Sequence, residues 1–404
     1  MKNVMKILLI FMGVLLLSIS YAQEVKMQRL REPNPDTEVY FGDSGDIDGD
    51  VAVVVSVHHQ AAYVYDLNSS GEWVLSKKLS PKSGSWGDRF GQSACAISGK
   101  YVIVGDWMNK TQETGAAYIF ELGEGSEWKQ MIKLKPINKD TVDSFGIRVD
   151  IFEKTAIVES SNGIYIFELG IDNEWKQTQY IDEKPLKASL GFRDICINEN
   201  YMVISAGYIY VDKNKGYNAA IVYEKNNGKW QLMQKIMPPT KQHNSNFGKG
   251  LSISGNTIAI GAHSQNFKKM GSTGAVFIYN LKHGKFELSQ EIYPMDYGPH
   301  IYNFGFNVAI SDNYLAVLRA QEENYKGSVI IYKKIDGEYE RIYKKTSPIK
   351  SSSNGNNFGN NGLAIYKNKI FVGAPGDCYC DKDEGESLWI KGACGSAFMF
   401  TVEE

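Results

Sequence analysis

Phe247-Gly248-Lys249-Gly250-Leu251-Ser252-Ile253-Ser254-Gly255-Asn256-Thr257-Ile258-Ala259-Ile260-Gly261-Ala262 contains the unit from which the chain is built. Leu251 and Ile253 alternate with polar residues, as a strand with one covered face requires. Ser254-Gly255-Asn256 is a tight turn in which glycine supplies positive φ. Thr257 to Ala262 is a nearly continuous apolar run, which predicts a second strand covered on both faces, as in stacked sheets. Gly274 to Leu281 gives a third strand. Gly284 turns the chain, and Lys285 to Ile292 gives a fourth, whose charge suits an exposed sheet edge.

The same unit recurs along the chain. Its openers are Phe41-Gly42, Phe90-Gly91, Phe145-Gly146, Leu190-Gly191, Phe247-Gly248, Phe304-Gly305 and Phe358-Gly359, spaced by 49, 55, 45, 57, 57 and 54 residues. Self-similarity at this period marks a propeller or an array. First turns recur as Asp48-Gly49, Ser98-Gly99, Asp312-Asn313 and Lys367-Asn368. Third strands recur at 61–67, 116–122, 163–169, 219–225, 328–333 and 396–402. Fourth strands open on Trp73, Trp128, Trp175, Trp230, Phe286 and Tyr339. Aromatics that recur at one structural position read as core packing rather than as a stacking platform. The seventh unit stops after its third strand. The missing strand matches residues 24–33, where Glu24-Val25-Lys26-Met27-Gln28-Arg29-Leu30-Arg31-Glu32-Pro33 reads like Glu127-Trp128-Lys129-Gln130-Met131-Ile132-Lys133-Leu134-Lys135-Pro136. The expected fold is therefore all-β: a seven-bladed propeller of four-stranded antiparallel blades, filling residues 23–404, with the leading strand completing the last blade.

The leading residues carry a targeting pattern. Lys2 and Lys6 precede an apolar run from Ile7 to Leu17, and Ser20-Tyr21-Ala22 has the small-x-small pattern of a cleavage site. Residues 1–22 read as a signal peptide. The run is too short to span about 30 Å of hydrocarbon, and no later stretch is long enough to do so. The expectation is a chain that is secreted, periplasmic or at the cell surface. With 44 basic and 46 acidic residues there is no broad footprint for nucleic acid. Of five cysteines, Cys95 and Cys196 fall in apolar strands of non-adjacent units and read as small buried hydrophobes. Cys378, Cys380 and Cys394 share one loop. A Cys378–Cys394 bridge would staple that loop where it leaves and re-enters adjacent strands, with Cys380 left unassigned.

These units resemble FG-GAP repeats, the blades of the integrin α-subunit propeller. The family pattern is Phe-Gly at the first strand, Gly-Ala-Pro at the end of the second, and Gly before the third. Unit seven matches most fully, with Phe358-Gly359, Gly373-Ala374-Pro375 and Gly395. Unit five has Phe247-Gly248, Gly261-Ala262-His263 and Gly274, and unit two has Phe90-Gly91, Gly105-Asp106-Trp107 and Gly115. The other units keep the opener and lose Gly-Ala-Pro. Several integrin blades carry a calcium loop between first and second strands. Here that turn is short in every unit, so the chain looks like a calcium-free exported bacterial variety with no cofactor. Asp46-Ile47-Asp48-Gly49-Asp50 reads either as a remnant of such a loop or as a strand entering an Asp-Gly turn.

The resemblance implies ligand binding on the face that carries the loops between second and third strands and the links between blades. Those loops include 107–114, 207–217, 263–273 and 376–394, and loops on a rigid scaffold are where binding residues concentrate. Five of six histidines map to that face: His58, His59, His243, His263 and His300, with His283 opposite. Candidate ligand-binding residues are Trp86, Trp107, Tyr208, His243, His263, Tyr297, His300, Tyr302 and Trp389. Asp377, Asp381, Asp383 and Glu386 lie together in the seventh loop, as either a calcium set or a solvated acidic loop. No nucleophile elbow, metalloprotease helix or phosphate loop is present. The leading expectation is a non-catalytic adhesion or binding module for an extracellular protein or glycan. A polysaccharide hydrolase or lyase is the second reading, with Asp106, Glu159, His263 and Arg319 at the central channel. A structural subunit of a cell-surface complex is the third.

Overall fold

The computed structural model describes residues 24–33, 40–82, 89–108, 115–137, 144–182, 188–189, 194–212, 215–267, 271–295, 302–321, 326–348, 358–359, 362–377 and 395–403. Its strands form seven antiparallel sheets. Blade one is Phe41–Asp48, Val51–Ser56, Ala61–Leu67 and Trp73–Leu79. Blade two is Phe90–Ser98, Tyr101–Asp106, Ala116–Leu122 and Trp128–Leu134. Blade five is Phe247–Ser254, Thr257–Ala262, Ala275–Lys282 and Lys285–Ile292, within one residue of the expectation. Inner strands of successive blades touch all the way round, and Leu363–Tyr366 of blade seven meets Phe41–Asp48 of blade one, so the ring closes. Among the described residues no helix is long and apolar enough to cross a membrane.

Each seam between blades holds its own apolar core. Val53 and Val55 of blade one pack with Phe90, Val104, Tyr118 and Trp128 of blade two. The intervening Ala52 and Val54 face the other way, into the core shared with Phe371 and Met399 of blade seven. That is why second strands are apolar without alternation: both faces are buried. The recurrent aromatic that opens each outer strand sits in the seam core, as Trp128, Trp175 and Trp230 do.

The Phe-Gly openers and the other family glycines meet across these seams. Phe41 of blade one forms a parallel bridge with Gly395 of blade seven, as Phe145 does with Gly115 and Phe304 with Gly274. Gly42 has φ +86°, and a Cβ there would collide with the carbonyl of Ser396. A Cβ on Gly373 would collide with the carbonyl oxygen of Gly42. The motif is thus the imprint of backbone lying on backbone, where only glycine fits.

The ring closes as the sequence implies. Val25–Leu30 pairs antiparallel with Ser396–Val402, Val25 opposite Val402 and Leu30 opposite Ala397. Arg29 is ion-paired with the buried Asp377, its Nε donates to Ser396 Oγ at 2.9 Å, and its guanidinium lies 5.7 Å from the Phe398 ring centroid. The same segment grips blade one. Gln28 exchanges two hydrogen bonds with the backbone of Trp73 (2.9 and 2.7 Å). Buried Glu32 accepts from Ser56 Oγ and Tyr63 OH, both at 2.6 Å, and pairs with His59.

One expectation is corrected. The segment 207–217 is not a loop: blade four's second strand runs through Tyr201–Asp212 and its third through Lys215–Asn226, a long hairpin that includes Tyr208. Alternating β-formers at 208–211 carry the pairing past Gly207, where the register shifts. Tyr302, a predicted ligand-binding residue, opens the inner strand of blade six, opposite Gln321. Cys95 and Cys196 are buried and free, as expected.

Arg29→Ala should destabilise the fold by about 3 kcal/mol, because it strands the buried Asp377 carboxylate. Denaturant titration reads this, and deletion of residues 24–33 should cost more still. Gly373→Ala should cost several kcal/mol, while Gly255→Ala, at a turn with nothing within 4 Å of the new Cβ, should cost about 1 kcal/mol.

Candidate functional site

The inner strands surround a central channel. At the loop-face end a cavity of about 230 Å³ is lined by Ser44, Arg148, Asp194, Lys249, Phe306 and Asn307, among others. At the opposite end a cavity of about 570 Å³ is lined by turn residues including Asp48, Ser98, Asn198, Ser254 and Asp312. Asp46 and Asp150 line both.

The channel carboxylates hold backbone together. Asp46 accepts from its neighbour Ile47 N and from Ile97 N of blade two, both at 2.8 Å. Asp150 does the same with Ile151 N and Ile197 N of blade four, again at 2.8 Å. Asp194 accepts from Ile195 N at 3.0 Å and from Leu251 N of blade five at 2.8 Å. Burial pushes Asp46 up to about 6, against the pull of those two N–H donors. Asp150 is raised well above the ordinary range, first by burial and then by the Asp46 carboxylate. Burial also pushes Asp194 up to about 6, opposed by Leu251 N–H and by the Arg148 and Lys249 charges.

The residues of the proposed calcium remnant are bound to other blades. Asp48 accepts from Gly99 N of blade two, and Asp50 is ion-paired with Lys369 of blade seven. With Asp46 engaged as above, the stretch serves the seams on either side of blade one. Asp377 lies in the latch with Arg29. Asp381, Asp383, Glu386, Cys378 and Cys394 lie outside the described residues, as do Trp86, Tyr297, His300 and Trp389. Among the described residues no group of three or more metal-ligating side chains converges.

Two of the predicted histidines have separate settings. His243, on the link into blade five, donates Nδ1–H to Gly216 O at 3.0 Å and stacks on Tyr217 with centroids 4.6 Å apart. His263 accepts from Asn246 Nδ2 at 3.2 Å, and the same amide reaches Ser264 Oγ at 2.9 Å. The His263 ring lies 5.0 Å from Phe306, and Lys249 Nζ lies 4.9 Å from that same ring centroid. A continuous strip therefore runs from the loop face into the channel: Asn246, His263, Phe306, Lys249, then Asp194 and Arg148. Trp107 is half-buried at the start of its loop. The four residues considered for catalysis are spread over blades two, three, five and six. Asp106 accepts from Arg89 N at 3.0 Å, and Arg319 lies over Phe304, its Cζ 5.7 Å from the ring centroid.

Lys249, Phe306 and Arg148 were missed from sequence. Each stands two or three residues after a unit's opening phenylalanine, in Phe-Gly-Lys, Phe-Gly-Phe and Phe-Gly-Ile-Arg. The register slips there in blades five and six, between Phe247 and Leu251 and between Phe304 and Val308, and the irregular residues line the channel mouth.

The FG-GAP repeat family matches residues 73–120 and 230–279. The chain is a seven-bladed β-propeller that carries FG-GAP repeats over those two stretches. Both matched stretches begin at an outer-strand tryptophan and end in the next blade's third strand, so each straddles a seam. Unit seven, which carries the fullest motif, is not among them. No curated protein matches the sequence. Similar solved structures include a functionally unknown protein from Desulfotomaculum acetoxidans DSM 771, 13% identical, with a TM-score of 0.48 over 75% of this chain and 85% of that one. Another is the β-propeller domain of the Trilobed protease from Pyrococcus furiosus, 12% identical, with a TM-score of 0.47 over 84% and 90%.

The raised carboxyls give this propeller a pH signature. In the folded state Asp46 and Asp194 keep protons up to about pH 6, whereas an unfolded chain releases them near 3.8. Their contribution is full below pH 3.8 and is lost as pH rises through 6. Between pH 5 and 7 the wild type should lose stability relative to an Asp46→Asn/Asp194→Asn variant, as read by denaturant titration at each pH.

Proposed function

We propose that the chain is an exported binding module that recognises an extracellular protein or glycan through the loop face of the propeller. The observation that carries this reading is the strip from Asn246 and His263 through Phe306 and Lys249 to Arg148. It joins an aromatic face, an imidazole, an amide and two cations at the mouth of a preformed cavity, the composition of a recognition site. The channel aspartates, by contrast, are occupied by backbone N–H groups. The signal-peptide pattern at residues 1–22 supports an extracytoplasmic setting.

The test is binding of the purified, labelled protein to glycan arrays and to cell-surface protein extracts. A His263→Ala/Phe306→Ala variant should lose at least tenfold in apparent affinity, while Val74→Ser on the outer edge of blade one should bind as wild type. Binding that is unchanged in the loop-face variant, or absent from every surface, would overturn the reading.

A further inference from the structure

Arg148 makes a single side-chain hydrogen bond among the described residues. It lines the loop-face cavity and donates Nη1–H to the carbonyl of its own neighbour Ile147 at 2.9 Å. A guanidinium carries five donors. The other four meet no protein acceptor among the described residues. Lys249 lines the same cavity from blade five. Asp194 stands in the blade between them, and both cations act on its carboxyl electrostatically. That carboxyl already accepts two backbone N–H groups. Arg148 and Lys249 therefore border one small cavity together with Asp46, Asp150 and Asp194, each of whose carboxyls accepts two backbone N–H groups.

We propose that this mouth is a subsite for a carboxylate-bearing sugar, a uronic acid unit of an acidic glycan; the proposal rests on the loop-face reading above and names its ligand class. Arg148 takes the carboxylate, because a guanidinium offers paired N–H groups in the geometry a carboxylate accepts. Lys249 adds the second charge. Phe306 offers an aromatic face for the C–H side of a pyranose ring. Asn246 and His263, joined at 3.2 Å, stand next along the strip to meet hydroxyl groups. The cavity of about 230 Å³ has room for one sugar-sized group. An acidic peptide is the competing occupant, and the backbone disfavours it. The mouth N–H groups of Ile195, Leu251 and Val308 are already satisfied by Asp194 and Asn307, so a peptide main chain cannot pair with these three.

The test is calorimetry and ligand-observed NMR on the purified full chain, with galacturonate, glucuronate and a galacturonate trisaccharide as probes. Galactose, glucose and a glutamate-rich heptapeptide are the comparisons. The uronates should bind, the trisaccharide more tightly than the monosaccharides, and affinity should fall with added salt. Arg148→Gln and Lys249→Gln should each weaken binding at least tenfold, with Arg148→Lys intermediate. Melting curves verify that each variant is folded. Equal binding of neutral sugars, inert uronates, or a heptapeptide that competes as well as the trisaccharide would overturn the subsite. Array or cell-surface binding that survives in Arg148→Gln and Lys249→Gln but not in His263→Ala/Phe306→Ala would also overturn it, while leaving the wider loop-face reading intact.

Discussion

The contact on which this propeller depends is peptide backbone against peptide backbone at the seams between blades. Blades do not hydrogen-bond as one continuous sheet; they press together over apolar cores, and at the loop-face end the main chains approach without a side chain between them. Gly42, Gly373 and Gly395 make that approach possible at the closing seam. Gly105 and Gly261 make the same approach against Gly146 and Gly305; at other seams the glycine of the second strand is replaced, and the seam adapts. Ser205 donates its hydroxyl to the carbonyl of Gly248. Val55 and Leu318 instead bring side chains against Gly91 and Gly359. One glycine on the facing side suffices, so the opener persists in units that lose Gly-Ala-Pro. Loss of both would force the blades apart and open cores whose phenylalanines are wholly buried.

A ring of seven such seams has one that covalent order does not provide. The leading segment supplies it by belonging to two blades at once. As a strand it extends blade seven; through Gln28 and Glu32 it is held by Trp73, Ser56, Tyr63 and His59 of blade one. The Gln28 contact is one instance of a wider rule. Gln179, Gln234 and Gln290 make the same paired hydrogen bonds to the backbone of Trp230, Phe286 and Tyr339, each at the start of the next blade's outer strand. Among the described residues four outer seams are stapled in this way, and the closing seam is treated like the internal ones. Each staple satisfies an N–H and a C=O that would otherwise rely on water at the rim.

Blade number, strand order and closure were legible in the sequence because they rest on repetition: a local signal seven times over leaves little room for another register. The glutamine staples were not legible. A glutamine on a polar edge strand looks like ordinary solvation, and its partner lies about fifty residues away. The length of blade four's hairpin was obscured by Gly207, which reads as a strand end although Ile209 is buried and continues the pairing. The loop histidines were visible as residues and not as a site. His263 acquires its neighbours only when the chain between Phe304 and Val308 slips register and places Phe306 beside it. Motif reading assigns the opener to architecture and passes over the residues just after it, which face the channel.

That division also separates two kinds of polar group in the channel. Inner strands have one edge without a partner strand, and their N–H groups need acceptors. Asp46, Asp150, Asp194, Ser44 and Ser252 provide them, each reaching the next blade at Ile97, Ile197, Leu251, Cys95 and Ile310. The acids are therefore architectural, and their raised protonation follows from the depth at which the backbone needs them. A cation cannot accept from an N–H, so Arg148 and Lys249 enter that scheme only through their charges on Asp194. Arg148 also brings to the cavity N–H donors that no protein acceptor among the described residues takes, which is the physical reason to assign it to a ligand.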